Sequence, residues 1–217
     1  IIQILKKVNL QKSNYDIEII VSDDGSTDDT ISLLKKNPLL YDKLVESKNN
    51  LGKGSALKKG IEISEGEIIL FQDADLEYDP QDYKKLISPF ISNNADVVYG
   101  SRFQGSSAHR LIYFTHRIAN AILTIFVNFL TNINFSDVET GYKVFRKSLL
   151  DKINLEEKSF GIEIEITMKL AKLKPKIFEV GISYNGRTYA EGKKISVKDG
   201  IIAMYLIIKY FFISAYR

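Results

Sequence analysis

The 217-residue sequence has no cysteine and no tryptophan, and only two histidines and four prolines. Without cysteine there is no disulfide framework, no zinc–thiolate site and no thiol nucleophile. The absence also fits a reducing compartment such as the cytoplasm. His109 and His116 have no third nitrogen or thiolate ligand to join them, so a histidine metal centre is not expected and a structural or interfacial role is the plainer reading. Nor is there a surplus of one charge. Thirty Lys and Arg against 27 Asp and Glu leave a formal net charge of +3, too balanced for general nucleic-acid affinity.

A long hydrophobic run is missing as well. The uncharged stretch Ile118–Ser136 is interrupted by Asn120, Thr124, Asn128, Thr131, Asn132 and Asn134, whereas a spanning helix needs about 20 predominantly apolar residues. Two readings remain for it: an amphipathic helix buried in the fold, or one lying on a membrane surface. Ile201–Tyr216, broken by Lys209, carries the same two readings. The chain opens at Ile1 with no charged segment before an apolar stretch, which is not a signal peptide. Ile1–Leu10 reads as the end of an amphipathic helix, and the expectation is that something upstream is missing.

What is present is a globular composition: 45% hydrophobic and 26% charged residues, enough to bury one sizeable core. The charge is divided along the chain. Up to Tyr142 there are 15 basic and 19 acidic residues, and from Lys143 onward 15 basic and 8 acidic. A basic last third suits an anionic partner or a membrane face, or is simply a solvated lysine-rich surface.

Strand-like and helix-like segments alternate through the first hundred residues. Ile17–Val21 is a β-branched run ending at Ser22-Asp23-Asp24-Gly25-Ser26, where Ser26 or Thr27 is placed to cap a helix over Asp28–Lys36. Leu44–Ser47 reads as a strand, Gly54–Ile63 as a helix, and Glu67–Phe71 as a buried strand ending at Gln72-Asp73-Ala74-Asp75. Pro80 opens a helix through Ile91, and Asp96–Tyr99 is the next strand. This order implies an α/β fold with a mostly parallel sheet and helices on both faces. Ligands in such sheets bind beyond the carboxyl ends of the strands, where both acidic clusters fall. Past Gly100 the alternation stops.

Asp73 and Asp75, two positions apart at a strand end, can lean toward one hard cation such as Mg²⁺ or Mn²⁺ that shares its shell with phosphate oxygens. Glu77 continues the spacing. The plain alternative is a solvated acidic loop capping the Pro80 helix. A calcium hand starting at Asp73 fails, because Tyr78 stands where Gly is needed and Lys84 where Glu is needed. An aspartyl-phosphate role has no other support in the loop. Asp23 and Asp24 end the earlier strand, where one carboxylate can accept hydrogen bonds from a nucleobase or ribose. Asn50-Leu51-Gly52-Lys53-Gly54 is glycine-rich before a helix and suits a nucleotide contact through Lys53 and Gly54. It lacks P-loop spacing.

Taken together the motifs resemble the inverting family 2 glycosyltransferases of the GT-A fold, a Rossmann-like nucleotide-diphospho-sugar transferase architecture. The branch they resemble comprises the dolichyl-phosphate mannose and glucose synthases and their bacterial polyprenyl-phosphate relatives. The residues that carry the resemblance are V-S-D-D-G-S-T-D from Val21, N-x-G-K-G-x-A from Asn50, D-A-D-L from Asp73, G-S-R-F from Gly100 and H-R-x-x-N from His116. D-x-E-T-G-Y-K-V-F-R from Asp137, F-G-x-E-x-E from Phe160 and I-S-Y-x-G-R-T-Y-x-E-G-K-K-I from Ile182 complete the series. The resemblance covers nearly the whole chain and implies a single domain over 1–217. Residues 1–100 would form the nucleotide- and metal-binding half, and 101–217 the acceptor side.

The same resemblance implies roles. Asp24 contacts the nucleoside and Lys53 lies near the base. Asp73 and Asp75, with Glu77, hold the donor diphosphate through a divalent cation. Arg102 lines the sugar or phosphate pocket, Arg187 and Lys193 clamp phosphates, and Asp137 stands at the catalytic centre. The expected reaction moves glucose or mannose from UDP-glucose or GDP-mannose to a polyprenyl phosphate, on a cytoplasmic or peripheral membrane-face enzyme. A saccharide hydroxyl acceptor would need a base, with Asp137, Glu163 or Glu165 as candidates. A plainer role for Glu163 and Glu165, capping and solubilising the helix after Gly161, is preferred. A sugar nucleotidyltransferase and a non-catalytic nucleotide-binding module are the other classes. One departure stands out: the family opens with a strand ending in a P-x-Y-N-E-like turn, absent here. An edge of the sheet is therefore expected to be unsupported.

Overall fold

A computed structural model describes residues 1–105, 110–111, 113–193 and 197–213. His109 and the last four residues of the chain lie outside the described residues. The β-branched runs form strands where expected, each within a few residues. Ile20–Asp23 (β1) pairs in parallel with Lys43–Glu46 (β2), placing Ile20 opposite Lys43 and Asp23 opposite Glu46. A second sheet has the order β3-β5-β4-β6, formed by Ile68–Leu70, Lys143–Arg146, Val97–Ser101 and Ile177–Gly181. β4 and β6 are parallel, while β5 runs antiparallel to both of its neighbours, β3 and β4.

The mostly parallel arrangement expected from sequence forms, with β1–β2 and β4–β6 paired in parallel and β3 running the same way as β4. The α/β character holds, but β5 lies inside the sheet against the direction of the others. The alternation that predicted the sheet ended at Gly100, so neither β5 nor β6 was anticipated. Among the described residues β1–β2 and the four-stranded sheet share no ladder. They are joined through side chains. Ile19, Leu34 and, from the first helix α1 (Ile2–Gln11), Ile4, Leu5 and Val8 pack in one cluster with Val98, Tyr142 and Val144.

The sheet has a core on each face. Val97, Tyr99 and Phe145 point to one side, Val98 and Val144 to the other, the two-residue period of a pleated strand. The second face is covered by α1 and by α4 (Tyr83–Ser92), through Tyr83, Leu86 and Phe90. The first is covered by α5 (Phe114–Thr131), α7 (Ile162–Lys172) and α8 (Val197–Phe212). The remaining helices are α2 (Thr30–Lys36), α3 (Lys53–Ile63) and the single turn α6 (Lys147–Leu150).

Two details differ from the sequence reading. Helix α2 begins at Thr30 with Asp29 as its N-cap; Ser26 instead turns its hydroxyl to Asp23, so neither Ser26 nor Thr27 caps it. In the middle of α5 polar residues point inward. Asn120 and Thr124 are buried with Leu123 and Val127, and the Thr124 hydroxyl accepts the Val138 N–H. Asn128 closes the turn after the helix by bonding both backbone groups of Phe135, and Asn132 ends it in the left-handed conformation. The outward stripe Phe114, Ile118, Ile122, Ile125, Phe129 is apolar and exposed, 75% at Phe114 and 81% at Phe129.

Candidate active site

The carboxyl end of β1 presents Asp23 and Asp24, and each is occupied by backbone. Asp23 is buried and folds its own turn, accepting from the N–H groups of Gly25 and Ser26 and from the Ser26 hydroxyl. Asp24 accepts from Leu51 N–H at 2.9 Å and Gly52 N–H at 2.6 Å. It therefore ties the first acidic motif to the glycine-rich loop. The glycines of that loop answer to packing. Gly52 has φ +100°, and a Cβ there would stand 2.4 Å from the Lys158 carbonyl oxygen; one on Gly54 would meet the Glu157 carbonyl oxygen at 2.5 Å. Close approach to 157–159 explains both glycines. Lys53, between them, is delivered by the first turn of α3 into the site.

There Lys53 Nζ bridges Asp73 Oδ1 and Glu163 Oε1, each at 2.8 Å. Burial works against its charge, but the Glu163 and Asp73 carboxylates prevail and hold its pKa well above the ordinary lysine range. Glu163 also receives Lys143 Nζ at 2.6 Å. Burial alone would raise the Glu163 carboxyl, yet Lys143 and Lys53 bring it down to about 2. The expectation that Glu163 and Glu165 merely solubilise a helix is thus corrected. Glu163 joins the site, and Glu165, fully buried, accepts the N–H groups of Glu156 and Glu157 and pairs with Lys169 at 2.7 Å. Lys143 was not singled out from sequence, although it lies in the quoted D-x-E-T-G-Y-K motif.

The acidic loop after β3 is turned by Leu76, which takes φ +64°. Asp75 Oδ1 accepts the Glu77 N–H, and its Oδ2 meets Arg187 Nη2 at 2.6 Å. Glu77 accepts from Arg187 N–H and Nε at 3.0 Å each and from the Tyr184 hydroxyl at 2.8 Å. Burial pushes the Asp75 carboxyl up, with the Asp73 and Glu77 charges adding to it. Burial would raise Glu77 too, but hydrogen bonds from Arg187 and Tyr184 hold it low. Lys193 is brought near the same carboxylates; burial, with Arg102 and Arg187 nearby, lowers its pKa. Arg187 and Lys193 thus converge with Asp75 and Glu77. Among the described residues no three carboxylates or histidines gather as one metal cage. Asp73 faces Lys53, whereas Asp75 and Glu77 face Arg187.

Arg102 follows β4 and spends its backbone N–H, Nε and Nη2 on Asp137, at 3.0, 2.7 and 2.7 Å. Asp137 is fully buried, and the guanidinium lies over the Phe103 and Tyr184 rings. Two residues on, Glu139 has its Oε1 shut from solvent without a hydrogen-bond partner. Burial, then the Glu163 charge, push its pKa up to about 7 against the pull of Lys143 and Arg102. Glu139 was missed from sequence; its place in the D-x-E-T-G motif was the available signal. His116 lies at the rim, its Nε2 2.7 Å from the Tyr189 hydroxyl.

Comparison with known proteins gives the fold and chemistry a context. The family described as glycosyl transferase family 2 matches residues 1–154. The chain is 28% identical over 223 residues to the UDP-N-acetylglucosamine–dolichyl-phosphate N-acetylglucosaminyltransferase of Methanococcus voltae, covering 93% of this chain and 88% of that protein. It is also 28% identical to the dolichyl-phosphate beta-glucosyltransferase of Dictyostelium discoideum, over 94% of this chain and 64% of that one. Among solved structures, glucosyl-3-phosphoglycerate synthase from Mycobacterium tuberculosis, in complex with Mn²⁺, UDP and phosphoglyceric acid, superposes with a TM-score of 0.71. That match is 17% identical and covers 96% of this chain and 72% of the other.

Proposed function

We propose that this chain, which belongs to glycosyl transferase family 2 and is a glycosyltransferase of the GT-A fold, moves a hexose from a nucleotide sugar to a polyprenyl or dolichyl phosphate with inversion. The observation that carries the acceptor class is α5. Its polar residues Asn120 and Thr124 face the protein and its apolar stripe faces out, an arrangement that suits an apolar medium. Helix α8 extends that face with Ile201, Ile202, Tyr205, Ile208 and Phe212. Between the two helices Ile122, Ile125, Phe126, Phe129 and Met204 line an apolar groove of about 300 Å³. The first turn of α5 reaches the site, where Arg117 lies over the Phe103 ring beside Arg102. Among the described residues no helix is long and apolar enough to cross a membrane; the face would rest on one, on its cytoplasmic side. The dolichyl-phosphate substrates named for the two relatives agree with this reading.

In this reading residues 1–100 hold the donor and 101–217 the acceptor. Asp73 and Asp75, with Glu77 beside them, supply the oxygen donors that Mg²⁺ or Mn²⁺ takes, and would hold it on turning from Lys53 and Arg187. A cation bound there would offset the charge that gathers on the departing nucleoside diphosphate. Arg187 and Lys193 carry the same duty from the protein's side, exchanging carboxylate partners for phosphate oxygens when a UDP- or GDP-sugar enters. Asp24, through the loop it ties down, positions Lys53 and Gly54 at the nucleotide. Asp137 keeps Arg102 charged and oriented toward the sugar and acceptor. A phosphate monoester has its second pKa near ~6 and is already largely ionised at neutral pH. It attacks without a base.

The test is incubation with vesicles containing polyprenyl phosphate, a divalent cation and, in turn, UDP-glucose, GDP-mannose and UDP-N-acetylglucosamine. A glycosyl-phosphate lipid is expected with one of these donors. Transfer to saccharide hydroxyls with none to the lipid phosphate would sink the acceptor assignment.

A further inference from the structure

When the charges of the site are paired off, one carboxylate is left over. Lys53 is shared by Asp73 and Glu163, Lys143 is held by Glu163, and Arg102 is given wholly to Asp137. Three cations therefore serve three of the four carboxylates around this pocket, and Glu139 is the fourth. Its Oε1 is enclosed without a hydrogen bond. The charged groups that face it are Glu163 from α7, Lys143 from β5, Arg102 after β4, and Asp137 on its own segment. Both of those cations are already engaged. Glu139 is half-buried as a residue with Oε1 shut from solvent, and ionised it would add a fourth negative charge beside cations that are already engaged, a costly arrangement. A neutral Glu139 balances the cluster and gains an O–H donor with nothing yet to donate to.

An anionic phosphate oxygen is the acceptor that such a donor suits, forming a short charge-assisted bond. An ionised carboxylate in the same place would repel it. We propose that Glu139 is an acceptor-binding residue that donates its carboxyl O–H to a non-attacking oxygen of the lipid phosphate, so that the site recognises its acceptor as a phosphate. The inference rests on the polyprenyl-phosphate reading above and adds the residue that enforces it. The upward shift of Glu139 to about 7 agrees in direction. A hydroxyl acceptor would ask the opposite of this residue, namely to be ionised and to take a proton.

Initial rates with polyprenyl phosphate at saturating donor, from pH 6.5 to 8.5, test this in the wild-type protein and in Glu139→Gln and Glu139→Ala. Glutamine keeps a neutral donor at the same reach. Wild-type acceptor KM should rise by about tenfold or more across that range as the donor proton is lost, with kcat nearly level. Glu139→Gln should keep kcat within about threefold and flatten the rise, since any slope owed to the phosphate itself persists in both proteins. Glu139→Ala should raise acceptor KM by about tenfold at pH 6.5. The proposal is overturned if Glu139→Gln loses about a hundredfold in kcat at unchanged KM, which marks a base. It is overturned equally if Glu139→Ala leaves acceptor KM unchanged. Should alanine prevent folding, the wild-type and glutamine profiles decide alone. The wild-type protein by itself reports on the acceptor class, so failure of that reading is seen separately from failure of the role given to Glu139.

Discussion

Replacing Asp137 by Asn probes a deeply enclosed ion pair of the site. Asp137 has no solvent exposure and takes three hydrogen bonds from Arg102, whose side chain is 14% exposed. Asparagine preserves the shape but offers one oxygen. Its NH₂ group would face a guanidinium nitrogen, donor against donor, and the buried positive charge would lose its partner. Removing one member of a buried pair typically costs about 3–5 kcal/mol; with one oxygen retained, about 3 kcal/mol is expected here. For a chain of this size each kcal/mol moves Tm by roughly 2–4 °C, so the melt should fall by about 6–12 °C. Calorimetric or circular-dichroism melts measure this directly. Turnover below the melting range should drop far more than donor affinity, because Arg102 would lose its orientation while Asp24, Lys53 and Arg187 stay in place. A melt within about 2 °C of wild type, with turnover intact, would refute the argument that this pair organises the pocket.

Three further outcomes follow from particular contacts. Gly54→Ala drives a Cβ to 2.5 Å from the Glu157 carbonyl oxygen and should lose about 1–3 kcal/mol. Gly200→Ala, within α8 and open around its Cβ position, should gain about 0.5–1 kcal/mol; equal Tm shifts in the two would contradict the packing account. Glu163, ordinarily near 4.5, is held at about 2 in the fold by Lys143 and Lys53 against burial. A depressed carboxylate contributes stability above its unfolded pKa and loses it as pH falls through the folded one. Wild type should therefore lose stability between pH 4.5 and 2 more steeply than Glu163→Gln, and superimposable acid limbs in urea titrations would argue against it. Ile125→Glu with Phe129→Glu places charge on the outward stripe of α5 and should weaken co-sedimentation with anionic vesicles at least about tenfold, with the melt unchanged; undiminished vesicle binding would exclude this face as the contact.

The strands up to Gly100 were legible because Ile, Val and Leu runs end in turn residues, and the site was legible because its carboxylates fall where those strands end. β5 was not. It has only four residues and begins with Lys143, whose charge is hidden by Glu163 twenty positions away; no local pattern announces such a pairing. Asp23 and Asp24 stood out as carboxylates at a strand end, but sequence could not tell a ligand contact from a carboxylate that binds its own backbone. Glycines 52 and 54 carry the same ambiguity, settled by the nearness of Lys158 and Glu157. The inward turn of Asn120 and Thr124 was equally hidden, since a period of 3.6 identifies two faces without saying which one faces the protein.

The absence of a shared ladder between β1–β2 and the four-stranded sheet has a dynamic consequence. Among the described residues no backbone hydrogen bonds link the strands of the two sheets, and what crosses the seam is side-chain contact, chiefly apolar. Such a piece can open as its own cooperative unit at a free energy below that of global unfolding. Amide protons of Ile20–Asp23 and Lys43–Glu46 should then exchange sooner than those of Val97–Ser101, and donor binding through Asp24 and Lys53 should slow them. Affinity for the nucleotide would include the work of holding that unit closed.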